Sequence, residues 1–260
     1  MASRIAGTAW VLWTCARMQI REMSGNHLGL VIGVVQPVVL ILVTVGSRSA
    51  QPAETVTRWT IGVLLTSLWA STVWVAGGIL RLELHYGTLA ASVTSVRPGF
   101  LVLLGKCLGA TLRGVAVIAA SVTVTLLLTG VRVSLAHPGW LLLGSAVTIV
   151  SGAALGMLLA CVLLLTHYGL QVSAALMYPV FLLGGLLVPS DLLPASVNWI
   201  STLISLRWAQ EFLADTAAGH VDLGALGTLA ALTAGYFALA IASFVRVVDR
   251  ARKEGTLELV

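Results

Sequence analysis

The sequence predicts an all-α polytopic membrane protein. It has six transmembrane helices, an N-terminal amphipathic interfacial helix, a short cytoplasmic helix and an extracellular re-entrant helical hairpin. Three observations predict this class. Of 260 residues, 58% are apolar and only 10% charged, where a soluble domain carries about a quarter, so a water-facing surface would be left largely apolar. Uncharged stretches of membrane-spanning length recur along the chain. The cations crowd into alternate connections, as expected of a polytopic chain. These facts exclude a soluble globular fold, and 26 Gly without a triplet repeat exclude a collagen. Cys15, Cys107 and Cys161 are too scattered for a disulfide framework and read as reduced, structural thiols. The net charge of +5 sets orientation and implies no nucleic-acid partner.

The whole chain, 1–260, reads as one transmembrane domain. Residues 3–25 combine Trp10, Trp13, Met18 and Ile20 with Arg4, Arg17, Arg21 and Glu22, a mixture that suits a helix lying in the inner interface. The first span is 28–46, without charge but with Gln36-Pro37 at mid-membrane, either a kink or a group facing protein or a pathway. This span serves as a signal anchor rather than a cleaved leader. The second is 59–80, and the third is 107–131 with Arg113 snorkelling. From Val133 to Ser190 no Asp, Glu, Lys or Arg occurs. This run holds the fourth and fifth spans, 139–166 and 170–188, folded at Thr166-His167-Tyr168-Gly169. The sixth, 223–245, ends at Arg246, Asp249, Arg250, Arg252 and Lys253.

Six spans put both termini on one side. With that side cytoplasmic, 11 cations lie inside and 4 outside, which the positive-inside rule favours. Between the second and third spans, 82–96 reads as a short cytoplasmic helix, separated from the next span by Pro98. Outside, 189–219 is apolar yet broken by Asp191, Pro194, Asn198, Arg207, Glu211 and Asp215. It suits two short helices that dip into the membrane and return, anchored by Trp199 and Trp208. Small-xxx-small pairs at Gly25/Gly29/Gly33, Gly105/Gly109 and Gly152/Gly156 barely exceed chance.

Several chemistries are missing. A P-loop needs G-x-x-x-x-G-K-[ST], but Gly105-Lys106 is followed by Cys107 and preceded by Phe100 at the first glycine position. His27, His85, His137, His167 and His220 form no metal motif, so neither a catalytic residue nor a metal site is expected. The spans lack the buried carboxylates of a proton relay, which disfavours an ion-coupled carrier. The one dense polar cluster, Asp191, Glu211, Asp215, His220 and Asp222, supports an alternative reading as a membrane-embedded enzyme or assembly factor without an ATPase partner.

Two motifs carry a resemblance. One is Glu83, His85, Tyr86, Gly87, Thr88 and Leu89, followed by Gly105-Lys106. The other is Gly185, Pro189, Pro194 and Trp199, similar to the pattern G-x-x-x-P-x-x-x-x-L-P-x-x-x-x-W, with the glycine-to-proline spacing matched and one residue fewer between Pro189 and Leu193. Together with the amphipathic leader and six spans, they resemble the permease subunits of type-2 ABC transporters, bacterial exporters of drugs, antibiotics, lipids and polysaccharides. Ala90 stands where the family has an acid, Pro98 is displaced, and Ile204-Ser205 replaces Asn-Pro. The resemblance implies that 82–96 is the coupling helix and 189–219 the external re-entrant segment. It implies two partner ATPase subunits that hold ATP and magnesium, a second identical or homologous permease, and a bacterial inner-membrane location with cytoplasmic termini. It also places the interface between permeases at the first, second and fifth spans, where Gln36, Trp69, Trp74 and Met177 are candidates to line the pathway of an amphiphilic substrate.

Overall fold

A computed structural model describes residues 2–25, 27–44, 52–88, 98–131, 133–166, 168–186 and 195–253. Among the described residues the regular structure is all helical, with no strand. Helix α1 (Ala2–Glu22) is followed by a 3-10 turn (Met23–Gly25). Then α2 (His27–Leu30), a π-helical turn (Val31–Val35) and α3 (Gln36–Thr44) form one run. Next come α4 (Ala53–Ser71), a second π turn (Thr72–Ala76) and α5 (Ile79–His85). The remainder is α6 (Gly99–Thr129), α7 (Pro138–Leu165), α8 (Gly169–Leu183), α9 (Ala195–Thr202), α10 (Ser205–Ala218) and α11 (Leu223–Lys253).

Four of these stretches are long and apolar enough to cross a membrane: Ala53–His85, Gly99–Thr129, Pro138–Leu165 and Leu223–Arg250. At the positions of the expected first and fifth spans stand shorter apolar helices, Val31–Thr44 and Gln171–Leu183. Helix α6 begins at Gly99 rather than 107. Pro98, at φ −53°, presets the entry, and the charge of Lys106 is neutralised inside the fold. Around Pro37, which has no N–H for the carbonyl of Gly33, the helix widens. The N–H of Gln36 reaches five residues back to Val31, so a π turn absorbs the break.

The α4–α5 helix is the centre of the fold. Of its most apolar window 83% is buried, against 22% for α6 and for α11. Its composition suits that place, because Thr57, Thr60, Thr66, Ser67, Ser71 and Thr72 are all buried and let neighbouring helices approach closely. Thr57, Thr60 and Thr72 donate to the carbonyls of Ala53, Val56 and Leu68, at 2.7, 2.9 and 2.9 Å.

Glycines set the other contacts. A Cβ at Gly105 would lie 2.7 Å from Cys15 Cβ, and one at Gly109 2.7 Å from Ala16 Cα, so α1 crosses α6 at this pair. A Cβ at Gly156 would stand 2.7 Å from that of Ala76. The ring of Phe212 on α10 occupies the space above Gly144 on α7, and the Ser151 hydroxyl donates to that of Ser205 at 2.9 Å. Within the α9–α10 pair, Arg207 donates to Asn198 Oδ1 at 2.8 Å and the Trp208 indole to the Thr202 carbonyl at 2.9 Å.

Candidate functional site

Helix α5 ends in a Schellman cap. The N–H of Thr88 donates to the Glu83 carbonyl at 2.9 Å and that of Gly87 to the Leu84 carbonyl at 3.1 Å, the paired bonds that satisfy the last carbonyls of a helix. Gly87 sits at φ +68°, where a Cβ would be strained. The Thr88 hydroxyl adds a bond to the Glu83 carbonyl at 3.3 Å. Spacing and residue type are thus explained together: the glycine turns the chain and the threonine ties it back to Glu83.

The Glu83 side chain makes the second connection. Its carboxylate accepts a hydrogen bond from the Lys106 ammonium on α6, and the two residues are only 6% and 7% exposed. A buried pair of this kind is held by mutual neutralisation, since either charge alone would face a large desolvation cost. One turn of α6 around Lys106 therefore receives α5 through an ion pair and α1 through Gly105 and Gly109. Burial pushes the Cys15 thiol, on this face of α1, above its ordinary pKa, with Lys106 opposing and Glu83 adding to the shift.

Two further cations brace the corner. Arg113, expected to snorkel, donates to the Met23 carbonyl just after α1. The guanidinium of Arg81 covers Gly169 at the start of α8, where a side chain would collide with it. What faces outward is aromatic: His85 and Tyr86 stack edge to face with ring centres 5.7 Å apart, and Tyr86 is 65% exposed. Residues 82–85 thus form the last turn of the helical stretch Ala53–His85. Leu89 and the remainder of 82–96 lie outside the described residues.

The pathway candidates scatter. Trp69 is only 5% exposed and packs with Val73, Leu159 and Phe212. Gln36 and Trp74 are partly exposed, one just after a π turn and the other within one. Met177 is half-buried on α8, two residues before Pro179, which stands inside that helix. Of the external motif, Gly185 has φ +67° and ends α8, while Trp199 is 64% exposed. Pro189 and Pro194 lie outside the described residues. In the external polar cluster, Asp222 accepts from the N–H groups of Gly224 and Ala225, at 2.8 and 3.3 Å, and so caps α11.

Sequence reasoning missed the pairing of Glu83 with Lys106. The available signal was that Lys106, one of two lysines in the chain, stands within an apolar run and needs a counter-charge there.

No curated protein matches the chain. A family model, ABC-2 type transporter, matches residues 11–217, from the middle of α1 to the last turn of α10. The matched region contains the capped turn, the buried ion pair and the crossing of α1 over Gly105 and Gly109, and extends over most of the sequence: the chain belongs to the ABC-2 type transporter family, as a membrane permease of type-2 ABC transporters.

Proposed function

We propose that this chain is the permease subunit of an ATP-driven exporter that moves an amphiphilic substrate, a drug, antibiotic or lipid-like molecule, out of the cytoplasm. Two separate ATPase subunits holding ATP and magnesium drive it, and a second copy or a homologous permease completes the pathway. In this reading the protein sits in the bacterial inner membrane as six spans, Val31–Thr44 and Gln171–Leu183 being the two short ones. Both termini and the Glu83 corner are cytoplasmic, and α9 and α10 form the external re-entrant segment.

The observation that carries the reading is the capped turn beside the buried ion pair. Tyr86 and His85 project from a turn whose glycine and threonine fix its shape. Movement imposed on that turn by an ATPase reaches α6 through Glu83 and Lys106, and α1 through Gly105 and Gly109. The helices proposed to face the second permease each carry a backbone irregularity: Pro37 with its π turn, the Thr72–Ala76 turn, and Pro179. Prolines and π turns are where helices kink, and in this reading Gln36, Trp74 and Met177, close to these points, line the pathway. Trp69 supports it from behind.

The test is tagged purification from native membranes in mild detergent. A co-purifying P-loop ATPase, lost when Tyr86 is replaced by Ala while the permease remains folded, is the expected result. A lone chain without associated ATP hydrolysis under repeated gentle extraction contradicts the reading.

A further inference from the structure

Between α4, α6, α7 and α10 lies a cavity of about 360 Å³. Along α4 its lining runs from Thr57 to Leu68, about 16 Å at the helical rise of 1.5 Å per residue. That is half of the roughly 30 Å hydrocarbon thickness of a bilayer, so the cavity occupies the depth of one leaflet. Thr57 lies near one end of the α4–α5 helix and Glu83 near the other, which puts the cavity in the half of the membrane away from Glu83.

Its chemistry selects the occupant. The deep hydroxyls are already engaged, with Thr57, Thr60 and Thr148 donating to carbonyls of their own helices at 2.7, 2.9 and 2.8 Å. Ser145 adds one more hydroxyl to the lining, fewer polar groups than a water cluster needs, and a charged or sugar-like ligand would go unsatisfied there. The exposed residues of its lining are Ala119 and Thr123 on α6, a helix whose apolar window is only 22% buried and which therefore meets lipid, and Leu135 between α6 and α7. A mostly apolar cavity, one leaflet deep and bordered by lipid-facing residues of α6, matches a single extended alkyl chain.

We propose that this cleft holds one acyl chain of a phospholipid from the surrounding bilayer, as a fixed structural lipid lodged within one permease and distinct from any transported molecule. The site rests on the membrane embedding of the chain and is independent of what the complex exports.

The experiment reconstitutes the full chain, without ATPase or ATP, in vesicles of phosphatidylcholine carrying a photoactivatable diazirine in one acyl chain, followed by mapping of the labelled residues. Label on the Thr57–Leu68 stretch of α4 is expected, together with label on exposed Leu127 and Leu128 of α6. Because Thr60, Ile61, Leu65 and Leu68 line the cleft and are otherwise buried, label on these four reports it, whereas label on exposed Arg58 does not. In the variant Ala119→Phe/Thr123→Phe, which adds bulk at the lipid-facing border, the α4 label is lost while that on Leu127 and Leu128 persists. Label confined to the outer faces of wild-type helices overturns the proposal without recourse to a variant, as does α4 label that survives in a folded variant. Labelling of α4 only with ATPase and ATP present would also overturn it, by assigning the cavity to cargo.

Discussion

Glu83 does two jobs with two different atoms: its carbonyl closes the cap at Thr88 and its carboxylate neutralises Lys106. Replacement of either charged partner alone, Glu83→Gln or Lys106→Met, leaves a buried charge unpaired and is expected to cost about 3–5 kcal/mol, read as a lowered midpoint of thermal unfolding in detergent. The double replacement Glu83→Leu/Lys106→Leu is expected to recover most of that stability, because apolar groups of similar volume substitute well for a buried pair. Transport is not expected to return, since the link between the turn and α6 remains severed. Gly87→Ala places a Cβ at φ +68° and is expected to cost about 1–2 kcal/mol, checked by the same unfolding measurement. The glycine and threonine of this corner are legible in the sequence because their spacing is local. The Glu83 partner is not, because 23 residues separate it from Lys106 and periodicity does not report which side chains meet across helices.

Helices α1, α6, α7 and α10 meet through glycines that act as sockets. Gly144→Leu is expected to evict the Phe212 ring, which is fully buried, and to detach α10 from α7. Limited proteolysis within the α9–α10 segment of the folded variant, against resistance in the wild type, checks this. Gly109→Leu is expected to lift α1 from α6 and so to speed maleimide labelling of Cys15, whose reactivity is held down in the native packing by burial. The long helices were readable from their lack of charge, but their ends were not. A lysine inside α6 looks like a boundary until its neutralising partner is known, and the cation-rich tail of α11 extends in helical form to Lys253 because positive charge suits a helix C-terminus. The small-xxx-small pairs were too frequent by chance to interpret, and only geometry distinguishes Gly105/Gly109, which receives a helix, from Gly25, which meets nothing within 4 Å.

At the scale of the molecule, the helices sort by enclosure rather than by hydropathy. All four long ones are similarly apolar, yet one is surrounded and two are mostly open. This explains why Trp69, a pathway candidate implied by the family resemblance, belongs to the core: spans apolar on every side carry no moment to show which face is turned inward. The exposed side of Val31–Thr44, including Val35, Val39 and Val43, is the face proposed to meet the second permease. Val39→Cys is expected to cross-link between two copies in native membranes, and a monomer-only product after oxidation speaks against that arrangement. The enclosure of α4 has a consequence for biosynthesis. This helix, rich in buried hydroxyls, leaves the ribosome well before α6 and α10, the elements that cover it, so during synthesis the face it will bury is not yet covered. A chain cut short before Ser205 leaves the α10 side of that face open, and membrane quality-control proteases will find in α4 the signal that the protein is unfinished.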